Sequence, residues 1–335
     1  MPKTALLLCL IFAAAAHAQD APQPLAHIGD ATERTGAAPD AAALQAWRAD
    51  AAKALAARDD AGALVAASML AAGARDAATA TRALQRAVEL APRDPDIAWI
   101  AVWRCADVAS CAHARENLHT LEADNAAVWL PDLYAAAQAD DAARIVQALQ
   151  GMAAAKRYDD HQMHLLPRVL DALGLVPPPA GMQEGADAGA LRAGEAMALT
   201  SVAAIPPLAP LGAACGAAQD AARQALCLRV AERMQQGTSL MAQMVGEGLA
   251  RRLLRAPQPL AELAARQRVR AWRMQKMAGL MRELARDPAL AQAWTVAMRG
   301  HAREDDAVAA LLAARGIPVE PPAGWQPAVA AQRDP

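Results

Sequence analysis

The sequence predicts an all-α fold: a right-handed superhelix of antiparallel helix pairs, followed by a helical C-terminal part. Three observations predict it. Alanine, the strongest helix former, dominates the 335-residue chain. Aromatic residues make up only 3%, which removes many of the usual strand formers. Acidic residues and prolines recur where apolar stretches begin and end, the punctuation expected of many short helices.

Residues 1–18 read as a secretory signal peptide. Lys3 supplies the positive charge, residues 6–16 the apolar run, and Ala16-His17-Ala18 the small-x-small pattern for cleavage near Ala18. The run is shorter than the roughly 20 residues a spanning helix needs. Cys9 lies inside the run rather than at its end, so a soluble product is expected rather than a lipid-anchored one. The mature chain is expected in the periplasm, or secreted. Residues 19–39 carry Pro22, Pro24, Gly29, Gly36 and Pro39 and read as a flexible leader. No later segment reads as a membrane span. A net charge of −2 gives no electrostatic argument for nucleic acid. The excess of alanine and of arginine over lysine fits a GC-rich bacterial genome.

Four cysteines remain after cleavage: Cys105, Cys111, Cys215 and Cys227. An even count in an oxidising compartment reads as disulfides. Three connectivities exist. The local pairs Cys105–Cys111 and Cys215–Cys227 are favoured, because each brackets a short polar or glycine-containing stretch. A zinc site is the alternative, but neither pair has CxxC-like spacing.

Helices follow in order over 40–175. Asp40 caps one that runs to about 58, Asp59 or Asp60 a second ending near Gly73, and Asp76 a third ending before Pro92. The stretch Ala91-Pro92-Arg93-Asp94-Pro95-Asp96-Ile97-Ala98-Trp99 is then echoed by Leu121-Glu122-Ala123-Asp124-Asn125-Ala126-Ala127-Val128-Trp129. In each, a helix ends, an acidic turn follows, and a new helix opens on a tryptophan. Further helices are predicted over 125–138 and 140–155, and one from Asp159 or Asp160 to Leu173. Residues 176–210 read as a Pro-rich linker with one helix (187–204), with a soft domain boundary at 176–186. Residues 211–318 form the C-terminal helical domain, with helices opening at Asp220, Leu240, about Leu260, Asp287-Pro288 and Glu304. Gly246 and Gly248 there would allow a close helix crossing. Residues 319–335 read as an extended tail.

The segment 83–95 resembles the second helix and closing turn of a tetratricopeptide repeat, and a period near thirty fits stacked helix hairpins. The resemblance is degenerate. After Trp99 the positions usually held by Leu, Gly and Tyr carry Val102, Trp103 and Ala106, and Pro131 sits in the opening of the second echo. It implies hairpin stacking and no particular ligand contacts. In the C-terminal half, Cys215…Cys227, Gly237-Thr238-Ser239-Leu240 and the run from Gly316 to Trp325 resemble pieces of uncharacterised secreted proteins of GC-rich bacteria. That resemblance implies a helical envelope protein and no activity.

Three constellations carry chemistry. His161 and His164, just after Asp159 and Asp160, share a helix face at i, i+3 spacing and could pinch a metal; the competing reading, a polar helix start, is preferred. Met274, Met277 and Met281, like Met241 and Met244, could offer thioethers to copper, but in a chain with a single phenylalanine they read as core fillers. A basic run includes Arg266, Arg270 and Arg273 in one sector of a helix. It reads as a solvated or salt-bridged face, or else as a surface docking an acidic partner or anionic lipid. There is no G-x-S-x-G, P-loop or dinucleotide glycine motif, and no cofactor is predicted. The expected function is a non-enzymatic interaction or scaffold protein of the bacterial envelope with a protein or peptide partner. An envelope hydrolase and a metal-handling protein using the Met and His pairs are the alternatives.

Overall fold

The computed structural model describes residues 41–105, 111–216, 220–284 and 287–327. The segments read from sequence as signal peptide and leader, and Asp40, lie outside these residues, as does the end of the tail. Among the described residues the chain is all-α, with fifteen α-helices and no named strand. They are α1 (Ala41–Ala56), α2 (Ala61–Gly73), α3 (Ala77–Leu90), α4 (Pro95–Arg104), α5 (Ala114–Leu121), α6 (Leu130–Gln138), α7 (Ala142–Ala154) and α8 (Gln162–Leu173) in the first part. There follow α9 (Ala186–Ala204), α10 (Ala209–Ala214), α11 (Ala221–Gln235), α12 (Leu240–Leu253), α13 (Pro257–Leu284), α14 (Pro288–Gly300) and α15 (Glu304–Ala314).

The starts are set by short polar side chains that accept from amides otherwise left orphaned. Asp60 accepts from Ala63 N at 2.7 Å, Asp76 from Thr79 N at 3.0 Å and Asp141 from Arg144 N at 3.1 Å. Ser239 opens α12 and Asp287 opens α14 in the same way. Pro131 does not kink a helix. Asn125 caps a short 3₁₀ turn (Ala126–Trp129), and α6 starts after it with the proline in its first turn, where no amide hydrogen is needed.

Consecutive helices pack on one another: α1 on α2, α2 on α3, α4 on α5, α6 on α7, α11 on α12 and α14 on α15. Distant ones do so as well. α2 meets α8, α8 and α9 both meet α14, and α7 meets α11. A linear stack confines contacts to neighbouring units, so these long-range contacts add a second order of packing to the hairpins.

The described residues from Ala41 to Pro327 fall within one compact unit, the proline-rich stretch at 176–186 included. That proline-rich stretch is tied to its surroundings. Trp47 Nε1 donates to Pro177 O at 2.8 Å, and Arg192 donates to Val176 O at 2.6 Å. Arg48 reaches across from α1 to Glu195 of α9 at 2.6 Å.

The cysteines form the two local disulfides, Cys105–Cys111 and Cys215–Cys227. Residues 316–327 strap along α13: Trp272 Nε1 donates to Pro318 O at 2.7 Å, and Arg268 to the carbonyls of Trp325 and Pro322 at 2.8 and 2.6 Å. Met277 is buried, and Met274 and Met281 pack against the core, as fillers should. No described helix is long and apolar enough to cross a membrane.

Candidate functional site

The segment 155–161, between α7 and α8, meets a cluster of buried and half-buried ionisable groups. Its course is fixed by Asn125, which is wholly buried. The Asn125 amide nitrogen donates to Glu122 Oε2 at 2.7 Å and to Asp159 O at 2.8 Å. Its oxygen accepts from Ala127 N at 3.1 Å and Asp159 N at 2.9 Å. Backbone pairing to Asp124 and Arg157 continues this as an isolated parallel bridge between Asn125 and Arg157. The acidic turn of the second echo thus grips a segment more than thirty residues further on.

The segment ends in a left-handed residue, His161, at φ 63°. Helix α8 therefore begins at Gln162, later than its acidic prelude predicted. Asp159 and Asp160 turn inward instead of presenting the usual N-cap. Asp159 Oδ1 accepts from His161 N at 2.9 Å, which holds the turn.

This turn drives the His161 ring into the interior beside Trp99, at 5.3 Å between centroids. There His161 Nδ1 lies 2.8 Å from Asp96 Oδ1, and Nε2 lies 3.1 Å from Glu122 Oε2. Asp96 comes from the first turn of α4, whose cap is already supplied by Asp94. Half-exposed His164 stands one turn along α8, with Nδ1 3.5 Å from Asp96 Oδ1 and Nε2 3.6 Å from Asp159 Oδ2. Arg168 reaches Asp94 at 2.7 Å and Asp96 Oδ2 at 3.3 Å. Arg157 reaches Glu122 at 2.8 Å, Asp124 at 3.2 Å and Asp159 at 3.3 Å.

The electrostatics follow from burial and pairing. Burial opposes charge on His161, but its bonds to Asp96 and Glu122 outweigh that and push it up to about 10. Burial likewise opposes charge on the two carboxylates. Hydrogen bonds from His161 and His164 hold Asp96 well below the usual carboxylate range, and His161, Asn125 and Arg157 bring Glu122 down to about 2.

The same segment also meets a second group of acids. Ser239 Oγ donates to Asp160 Oδ2, and Thr238 Oγ1 donates to Asp159 Oδ1 at 2.9 Å. Leu240 N donates to Glu304 Oε2 at 2.7 Å. Burial, with Asp159 adding repulsion, raises Asp160 to about 6. Burial, with Asp160 and Asp305, raises Glu304 to about 7.

The first group opens on an outer depression of about 590 Å³, lined by residues including Pro92, Arg93, Asp96, Glu122, His164 and Arg168. A cavity of about 420 Å³ elsewhere is lined mainly by apolar groups, Met69, Leu84 and Ile100 among them, with Arg75 and Arg104 but no acidic side chain.

The predicted docking arginines lie elsewhere. Arg270 pairs with Glu247 and donates to Gln243 Oε1 at 2.8 Å. Arg273 pairs with Asp305 at 2.9 Å and donates to Val319 O at 3.1 Å. Both guanidinium groups are engaged internally, the salt-bridged alternative of the sequence reading. Arg266 remains exposed, donating to Gln235 Oε1 at 2.9 Å.

Sequence reasoning paired His161 with His164 but missed Asp96 and Glu122. The one signal for Asp96 was a second acid in Asp94-Pro95-Asp96, one more than a cap requires. Compared with known proteins, the chain matches no protein-family model, no curated protein and no solved structure.

Proposed function

We propose that this chain is an exported, non-enzymatic interaction protein of the bacterial envelope that binds a protein or peptide partner. The observation that carries the reading is the open depression over the ion cluster, where Arg93, Asp96, Glu122, His164 and Arg168 lie side by side. A shallow surface of mixed charge suits a polar partner segment better than an enclosed small substrate. Helix hairpins and a tetratricopeptide-like segment at 83–95 support it, because stacked hairpins present extended binding surfaces. Two disulfides are compatible with export into an oxidising compartment.

The test is cross-linking and co-purification of the tagged protein from intact cells. Wild type is compared with Arg93→Glu, in the depression, and with Arg266→Glu, on the exposed basic face. One specific partner lost in Arg93→Glu supports the reading. A partner lost only in Arg266→Glu moves the docking surface to α13. Absence of any specific partner, from a folded and abundant protein, overturns the reading.

A further inference from the structure

We propose that Asp96, His161 and His164 bind one divalent transition-metal ion of the zinc class. The three candidate ligand atoms lie within 4.8 Å of one another. Both imidazoles turn Nδ1 toward the same acceptor, Asp96 Oδ1, at 2.8 Å for His161 and 3.5 Å for His164. Ligands about 2.0–2.1 Å from a tetrahedral ion stand about 3.3 Å apart, so small side-chain rotations place all three around one ion.

The surroundings follow the pattern of a metal site beyond its ligands. A metal-binding histidine characteristically offers its other nitrogen to a carboxylate. Here His161 Nε2 faces Glu122 at 3.1 Å, and His164 Nε2 faces Asp159 at 3.6 Å. Asp96 is divided in the same sense. Its Oδ2 lies 3.3 Å from Arg168 Nη2, which leaves Oδ1 for the ion. Asn125 and Arg157 in turn hold Glu122 in place.

His161 is fully buried, and its Nε2 faces Glu122 Oε2 at 3.1 Å, so the ring is held through the nitrogen not offered to the ion.

Two imidazoles and one carboxylate select a borderline ion such as Zn²⁺ rather than Mg²⁺ or Ca²⁺, which prefer oxygen. With three protein ligands, the fourth position falls to water or to a donor from outside. The half-exposed His164 lines the depression, so that position is reachable from solvent. Binding releases the hydrogen between His161 Nδ1 and Asp96, and any proton on His164 Nδ1, to solvent; the ion undergoes no redox change. Met274, Met277 and Met281 serve the core instead.

The inference stands independently of partner binding, because it is tested on the purified chain alone. Protein prepared without a histidine tag and stripped with chelator is titrated with Zn²⁺ by calorimetry, and with Co²⁺ by visible absorption. One equivalent should bind at micromolar or tighter affinity, with the absorption of four-coordinate Co²⁺. His164→Ala, at a half-exposed position and checked by circular dichroism to be folded, should weaken Zn²⁺ at least about tenfold and abolish the Co²⁺ band. His113→Ala, at an exposed histidine outside the cluster, should change neither. Absence of stoichiometric binding, or equal binding by wild type and His164→Ala, would overturn the proposal.

Discussion

His161 meets Asp96 at 2.8 Å across a sequence separation of 65 residues. The contact ties the first turn of α4 to the approach to α8, and Asn125 braces it from a third place in the chain. The segment that carries His161 also carries Asp160, which accepts from Ser239 at the start of α12. One stretch of seven residues, 155–161, thereby joins the early hairpins to the C-terminal helices.

Asn125 should be among the least replaceable polar residues. All four of its amide bonds are made to buried or backbone groups. Asn125→Asp would lose both donors and set a new carboxylate beside Glu122. The expected cost is about 3 kcal/mol or more, read as a lowered midpoint in urea denaturation.

Two glycines of α12 should respond oppositely to alanine. A Cβ on Gly246 would stand 2.7 Å from Ala231 O and Gln235 N, backbone atoms of α11 that cannot move aside alone. Gly246→Ala should cost about 1–3 kcal/mol by forcing the helices apart. Gly248 has open space around its Cβ position. There the better helix propensity of alanine should add up to about 1 kcal/mol. Thermal melts of the two variants give the comparison.

Glu304 predicts a pH dependence. Its folded value is raised from 4.5 to about 7, so between those values the folded state holds more protons than the unfolded one. Stability from this group is fully present below pH 4.5, is lost as pH rises through about 7, and is flat above. Glu304→Gln keeps an oxygen for Leu240 N and removes the charge. It should match wild type near pH 4.5 and exceed it at pH 8 by roughly 2 kcal/mol, a figure reduced because the side chain keeps some contact with solvent. Denaturation midpoints across this range provide the check, and parallel curves would refute the assignment.

The arginines of α13 should separate by burial. Arg273→Glu places a carboxylate against Asp305 and strips Val319 O of its donor; the expected loss is about 3 kcal/mol or more. Arg266→Glu should change stability by less than about 0.5 kcal/mol. Only the second variant can test surface docking cleanly, because the first perturbs the fold.

Much of the helix inventory was legible in the sequence because its signals are local. Asp60, Asp76, Asp141 and Asp287 each cap the helix they precede, and proline and glycine mark many of the breaks. The paired carboxylates misled where a long-range partner took them over. Asp159 and Asp160 look like caps, but Asn125, Thr238 and Ser239 claim this segment. A cap can be read from its own turn; a buried ion pair depends on which turns are packed together, and nothing local to His161 names Asp96 or Glu122. The same holds for Arg270 and Arg273, whose partners Glu247 and Asp305 lie on other helices.

The most direct measurement is a double-mutant cycle between Asp96→Asn and His161→Gln, by urea denaturation in the presence of chelator. Removing either partner breaks the same buried contact, so the single changes should be far from additive. A coupling of about 2–3 kcal/mol is predicted for a contact this short and this buried. A coupling below about 0.5 kcal/mol, the level of independent sites, would contradict the convergence of α4 and the 155–161 segment on His161.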